Sequence, residues 1–273
     1  MTIQIGNCVI QKVTEQTAAF PCATLFAAHS GEMSTQLVQQ PADISIHSWL
    51  VRSGSHTVVV DTATGNGRDR NNNPLFHQLQ TPYLDNLEQT GITPEEVTLV
   101  MMTHVHTDHV GWNTRLQDGK WQPGFPNARY VCSATELAHV QNNPAAQALY
   151  HDSILPLLES GQLDAVDVRE DTLFAGVLRY TSTPGHSVDH ASIVLESAGE
   201  HAIFAGDVMH HPIQFQHPHW NSRFCEDLPQ AIASRQRVID WCAEHQAIWF
   251  SSHFAGSSCG RVTPGRQWLP LEV

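Results

Sequence analysis

The segment Thr103-His104-Val105-His106-Thr107-Asp108-His109-Val110-Gly111 places three imidazoles and one carboxylate within six positions, directly after the apolar run 97–102. A short apolar run of this kind reads as a strand buried on both faces. The histidines therefore leave the sheet together, at one strand end. In an extended segment His104 and His106 point to the same side, while a turn near Asp108 swings Asp108 and His109 toward a second position. One loop can thus serve two metal ions. Imidazole supplies borderline nitrogen ligands suited to Zn²⁺, and the carboxylate supplies a hard oxygen that also accepts protons. The plain alternative is a polar turn with surface histidines. Against it stands the histidine content of the chain, 18 residues against 14 Lys and Arg together.

The rest of the chain alternates strands and helices. Residues 46–52 and 57–60 read as two β-rich runs joined by Ser53-Gly54-Ser55-His56, a hairpin that ends at Asp61. A glycine- and asparagine-rich loop over 64–73 and a helix over 76–89 follow. Thr93-Pro94-Glu95-Glu96 has capping-box form and leads into the 97–102 strand. Asp118-Gly119 signals a tight hairpin. Residues 128–132 read as a strand, and Ser133 to Glu136 as a second capping box, opening a helix that Pro144 interrupts or restarts. Further runs at 178–181, 202–205 and 247–250 read as strands, and residues 229–244 as a helix with Asp227 as N-cap. The order of strand, acidic residue, loop, helix, strand and histidine occurs twice, which points to duplicated architecture or to generic α/β alternation. No low-complexity linker divides the chain, so a single domain over 1–273 is expected. The segment before Asp43 gives no clear pattern, and 31–42 reads as either a lid or a surface loop.

Three later residues each follow a predicted strand: His186 in Thr183-Pro184-Gly185-His186, Asp207 in Ala205-Gly206-Asp207, and His253 after residues 248–250. Open α/β sheets gather ligands at one such edge. The H-x-H-x-D-H cluster followed by His, Asp and His in this order resembles the metallo-β-lactamase superfamily. The similarity runs from the hairpin near Ile46 through His253. It implies an α/β fold, an αββα sandwich of two mixed β-sheets flanked by helices. It also implies two divalent metal ions, with His104, His106 and His186 on the first, Asp108, His109 and His253 on the second, and Asp207 between them. Zinc is the expected metal, with Mn²⁺, Co²⁺ or Fe²⁺ as alternatives.

The same resemblance implies a hydrolase in which a metal-bridging hydroxide, formed without a separate basic side chain, attacks a carbonyl or phosphoryl centre. Asp207 and Asp108 are then the catalytic carboxylates, Asp108 relaying a proton after attack. Asp61, in Asp61-Thr62-Ala63-Thr64-Gly65, is expected to accept a hydrogen bond from a ligand histidine or a loop amide, or simply to cap a turn. His190 either supports the ligands or lies at the surface. Residues 208–220, with 108–113 and 125–128, resemble the subgroup that holds methyl parathion hydrolase and the quorum-quenching lactonases. Opening of a cyclic ester such as an acyl-homoserine lactone is the leading expectation, with phosphotriester or arylester hydrolysis as the alternative. Trp112, Phe215 and Trp220 either line an apolar mouth or are core or dimer-interface residues, and His210 either touches substrate or supports Asp207. A metal-stabilised sensor without catalysis is the alternative from a different class. The subgroup also implies a homodimer.

Composition narrows the partners. A hydrophobic share of 41% against 15% charged residues suits a packed core, and the net charge of −13 opposes binding to a phosphate backbone. No basic leader or membrane-length apolar run is visible, so a cytoplasmic protein is expected, which disfavours antibiotic β-lactams as substrates. No basic cluster suited to a glutathione thioester stands out. The six dispersed cysteines, Cys8, Cys22, Cys132, Cys225, Cys242 and Cys259, read as buried free thiols.

Overall fold

The computed structural model describes residues 2–272. The strands, in chain order, are β1 (Thr2–Ile5), β2 (Cys8–Pro21), β3 (Pro41–Ser53), β4 (His56–Val60), β5 (Leu99–Met101), β6 (Thr114–Gln117), β7 (Lys120–Pro123), β8 (Arg129–Ser133) and β9 (Leu163–Val166). They continue with β10 (Leu178–Ser182), β11 (Ala191–Ser197), β12 (Glu200–Phe204), β13 (Ile248–Phe250), β14 (Cys259–Val262) and β15 (Trp268–Pro270). One sheet runs β1-β2-β3-β4-β5-β8-β9, a second runs β10-β11-β12-β13-β14-β15, and β6-β7 form a separate hairpin. Each large sheet mixes parallel and antiparallel pairs: β4, β5, β8 and β9 are parallel in the first, and β12 and β13 in the second.

The two-residue period of the strands sorts the core into layers. Trp49, Val51, Val58 and Val60 face Ile193, Leu195, Phe204 and Phe250 across the space between the sheets. Their neighbours Leu50, Val59 and Val100 face outward, onto helical residues Tyr83, Leu87, Leu137 and Leu157. On the far side, Val194, Ile203 and Trp249 pack against Val238, Ile239 and Cys242 of the Leu228–His245 helix. This is the αββα sandwich expected from the resemblance. Among the described residues no helix is long and apolar enough to cross a membrane.

Several local readings need correction. The helix expected over 76–89 is confined to Tyr83–Glu88, because Gln78 takes a positive φ and the Asn66 side chain clamps the Thr81 backbone from both sides. The capping box at Ser133 is half formed: Ser133 caps the Ala134–Asn142 helix, but Glu136 turns inward to other partners. The box at Thr93 is complete, on a single 3₁₀ turn. Asp227 caps the long helix by accepting from the Gln230 amide. The 31–42 segment, read as a lid or a surface loop, is built of short helical turns. It forms the turns Ala27–Glu32 and Thr35–Gln39, then enters β3 at Pro41. Five cysteines are buried, Cys225 is partly exposed, and all six are free.

Candidate metal centre

Every expected ligand emerges from the C-terminal end of a strand on the same rim of the sandwich. His104 to His109 follow β5, His186 follows β10, Asp207 follows β12 and His253 follows β13. There the side chains converge. His106 Nδ1 lies 3.0 Å from His104 Nε2 and 2.9 Å from His186 Nε2. His109 Nε2 lies 3.9 Å from Asp108 Oδ1, and His253 Nε2 lies 3.7 Å from Asp108 Oδ2. Asp207 stands between the two groups: Oδ1 is 3.3 Å from His109 Nε2, and Oδ2 is 3.3 Å from His186 Nε2 and 3.1 Å from His253 Nε2.

The hydrogen bonds behind the rings fix which nitrogen carries a proton. Asp61 Oδ2 accepts from His109 Nδ1 at 2.8 Å, and from the Thr103 hydroxyl at the same distance. With its single proton so committed, the Thr103 hydroxyl accepts from His104 Nδ1 at 3.0 Å. The Ser45 carbonyl accepts from His253 Nδ1 at 3.1 Å. In its neutral form each of these rings therefore turns a lone pair on Nε2 toward the centre. Asp61 thus accepts both from His109, an expected ligand, and from the Thr103 backbone amide at 2.7 Å.

His190 is fully buried and props up Asp207. Its Nδ1 faces the Thr183 hydroxyl at 2.8 Å, and its Nε2 accepts from the Asp207 amide at 2.9 Å. The close approach requires Gly206, which has φ +59° and where a Cβ would collide with the His190 ring. His210 stacks on His253 and brings Nε2 to 3.3 Å from Asp207 Oδ2.

Charge follows from this packing. Burial resists ionisation of Asp207, but His109, His253 and His186 outweigh it and hold the carboxyl well below its ordinary range. Burial also opposes charge on His109, yet Asp207, Asp61 and Asp108 raise it well above the ordinary histidine value. Burial, reinforced by His109 and His106, pushes His104 far down; burial likewise pushes His186 down, against the pull of Asp207.

The donor set fits a pair of divalent cations. His109 Nε2 and Asp207 Oδ1 are buried without hydrogen-bond partners although they face each other. The ligand-to-ligand separations also match the roughly 3.3 Å edge of a tetrahedron with bonds of about 2.0–2.1 Å. A third cluster, His29, Glu32 and His219, lies near the surface. There Glu32 accepts from both rings and from the Trp220 indole, which accounts for its oxygens.

A cavity of about 510 Å³ opens onto the centre. Its polar end holds His106, Asp108, His186, Asp207, His210 and His253, and its walls are largely apolar, including Phe20, Ile44, Leu75, Phe76 and Phe224. Of the positions open to Trp112, Phe215 and Trp220, the mouth, a dimer interface or the interior, the structure gives the interior. Trp112 stacks on Tyr83, its indole donating to Glu15 at 2.7 Å. Phe215 stacks on Trp268 at 5.0 Å, and Trp220 on His217 at 4.2 Å. Each ring finds a flat partner and a dry environment in the core, which an open mouth does not offer.

Other site residues gave no sequence signal. Glu15 sits at a bulge in the β2–β3 pairing, which aims its carboxylate at the amides of Thr64 and Gly65. Glu136 accepts from Val105 N at 3.2 Å, Ser187 Oγ at 2.6 Å and Asp189 N at 2.8 Å, tying the loop of His104 and His106 to that of His186. Thr103 was legible only as a neighbour of His104.

Two facing mixed sheets with a histidine and aspartate cluster on one rim define a class of metal-binding αββα proteins. The chain belongs to the metallo-beta-lactamase superfamily, whose family model matches residues 42–237. Members of this superfamily use metal ions, typically zinc. Among solved structures, AidC, a dizinc quorum-quenching lactonase, superposes with a TM-score of 0.83 at 21% identity, covering 100% of this chain and 97% of that one. The hydrolase AbOPH superposes with a TM-score of 0.80, also at 21% identity, covering 100% of this chain and 97% of that one. A hydroxyacylglutathione hydrolase from Thiobacillus denitrificans is 28% identical over 173 residues, which is 63% of this chain and 50% of that protein. The chain spans half or less of the length of the curated relatives it matches.

Proposed function

We propose that the chain is a dinuclear metal-dependent hydrolase of carboxylic esters, with lactones as its leading substrate class. The observation that carries this reading is the position of Asp207, whose two oxygens lie within 3.3 Å of ring nitrogens from both histidine groups. His104, His106 and His186 would hold one cation, Asp108, His109 and His253 the other, and Asp207 would touch both. Zinc suits these nitrogen and oxygen donors. When bound, such a pair supplies an activated water at neutral pH and polarises the scissile carbonyl.

The chain's own residues do the rest. Thr103, Asp61 and the Ser45 carbonyl lock three imidazoles in the tautomer that leaves Nε2 free. His190 and Gly206 fix the approach of Asp207. The apolar wall holds the acyl portion and excludes water from the reacting carbonyl. Asp108, the more exposed carboxylate at the cavity's polar end, receives a proton at its carboxylate oxygen and passes it to the leaving alkoxide. The lactonases among the structural neighbours support the lactone reading, and the aromatic rings Phe20, Phe76 and Phe224 in the wall favour arylesters as a second substrate group.

The test is metal analysis of the purified protein, followed by initial rates on lactones, arylesters, phosphotriesters, β-lactams and thioesters. Two equivalents of metal and a marked preference for lactones are expected. Asp108→Asn is expected to lower turnover while retaining both metals. A fully loaded protein inert to every substrate would replace this reading with a metal-stabilised sensor.

A further inference from the structure

We propose that the preferred substrate carries an anionic substituent, which Arg223 recognises at the cavity wall; the inference rests on the ester-hydrolase reading of the same cavity. Among the described residues Arg223 is the one Lys or Arg side chain lining this cavity. Its position is built rather than incidental: its amide donates to the Leu25 carbonyl at 2.9 Å, anchoring the 221–227 loop to the turn that follows β2. The guanidinium lies over the ring of Phe224, 6.0 Å from its centroid, and Phe224 is itself part of the wall.

The other exposed arginines of this protein are each engaged within the fold, Arg237 by the Ser182 carbonyl and Arg261 by the Gln246 carbonyl. Arg129, Arg169 and Arg266 each pair with a carboxylate. Arg223 has no acidic partner among the described residues, although the chain carries 27 Asp and Glu against 14 Lys and Arg. In a chain of net charge −13, an unpaired guanidinium beside an apolar wall is the local exception to a field that repels anions. A guanidinium presents a planar fork of donors that matches a carboxylate, and stacking on an aromatic face leaves those donors free at the ring's edge. The apolar wall selects a hydrocarbon or aryl body, the polar end takes the scissile ester, and Arg223 adds a requirement for charge. A lactone or ester bearing a free carboxylate meets all three.

Two measurements test this. Initial rates of the metal-loaded protein are compared on para-nitrophenyl octanoate and on para-nitrophenyl hydrogen suberate, esters of equal chain length that differ by a terminal carboxylate. A preference for the suberate of about fivefold to tenfold in kcat/KM is expected, carried mainly by KM. Arg223→Gln should collapse that ratio to near one and Arg223→Glu should invert it. Equilibrium titration with dansyl sulfonate and with neutral dansylamide gives a readout that needs no turnover. The parent should bind the sulfonate more tightly, and Arg223→Gln should remove the difference. A parent that favours neither anion, or a preference that survives in Arg223→Gln, would overturn the assignment. If neither ester is cleaved, the titration alone decides the role of Arg223, and the hydrolase reading is decided separately by the wider substrate panel.

Discussion

The Asp61 carboxylate accepts the Nδ1 proton of His109 at 2.8 Å, across 48 residues of sequence. The same carboxylate also accepts from the amide and hydroxyl of Thr103, so one buried acid orients groups at both ends of the histidine-rich loop. Asp61→Asn keeps the shape but replaces one acceptor oxygen with a donor, which must then face the Thr103 amide or the donors at Oδ2. Metal affinity and turnover should both fall about 10- to 100-fold. Competition with a chelator, together with initial rates, checks this; parent-like values for both would exclude an orienting role for Asp61.

Glu136 is a buried carboxylate whose three partners all donate, with no cation among them. Glu136→Leu leaves the Val105 and Asp189 amides and the Ser187 hydroxyl without an acceptor. A loss of about 2–4 kcal/mol is expected in denaturant unfolding. Glu136→Gln, which retains an acceptor oxygen, should lose less. Equal stability of the parent and both variants would show that these contacts contribute nothing net.

Gly111 closes the histidine-rich loop against the strand-end segment after Asp61. A Cβ at this position would overlap the Thr64 carbonyl and the Gly65 amide nitrogen, all of them backbone atoms that cannot rotate away. Gly111→Ala should cost about 3 kcal/mol or more and should loosen the Thr62 to His109 contact. A thermal melt with an unchanged midpoint would contradict the packing described.

His47 lies under the His253 turn, its ring between the Ser45 hydroxyl at 2.9 Å and the Ser251 carbonyl at 2.8 Å. Burial first, and Lys12 second, push its pKa well below the ordinary value, against the pull of the Ser251 carbonyl. The folded state therefore refuses a proton that the unfolded chain takes up below about pH 6.5. The stability contributed by neutral His47 is present above that pH and is lost as pH falls below it, by up to about 1.4 kcal/mol per pH unit. His47→Gln should flatten the decline of unfolding free energy between about pH 7 and pH 5 relative to the parent, as read by urea titration at each pH. Superimposable pH profiles would show that His47 is not the group responsible.

The converging histidine and aspartate set and the four-layer architecture were legible because both are local signals repeated along the chain. The apolar run before His104 is a strand by its own pattern, and His104 to His109 are neighbours in sequence as they are in space. The later members of the cluster, His186, Asp207 and His253, stood out because each trails a strand-like run. The hairpin ending at Asp61 was visible for the same reason, although β3 extends five residues further toward the N-terminus than its pattern announced.

What the sequence determined by itself is which atoms are available to bind a cation and at which strand ends they emerge, since periodicity and adjacency set both. What tertiary structure alone decided is how those atoms are held and what lies beside them. The Ser45 carbonyl meets a ring 208 residues away, and Glu15 meets Trp112 across 97. Whether an aromatic ring faces a cavity or the core depends on flat partners supplied by remote segments, as Tyr83 does for Trp112 and Trp268 for Phe215. A linear pattern carries no record of such pairings, because the energy that selects them appears only when distant surfaces are pressed together and dried.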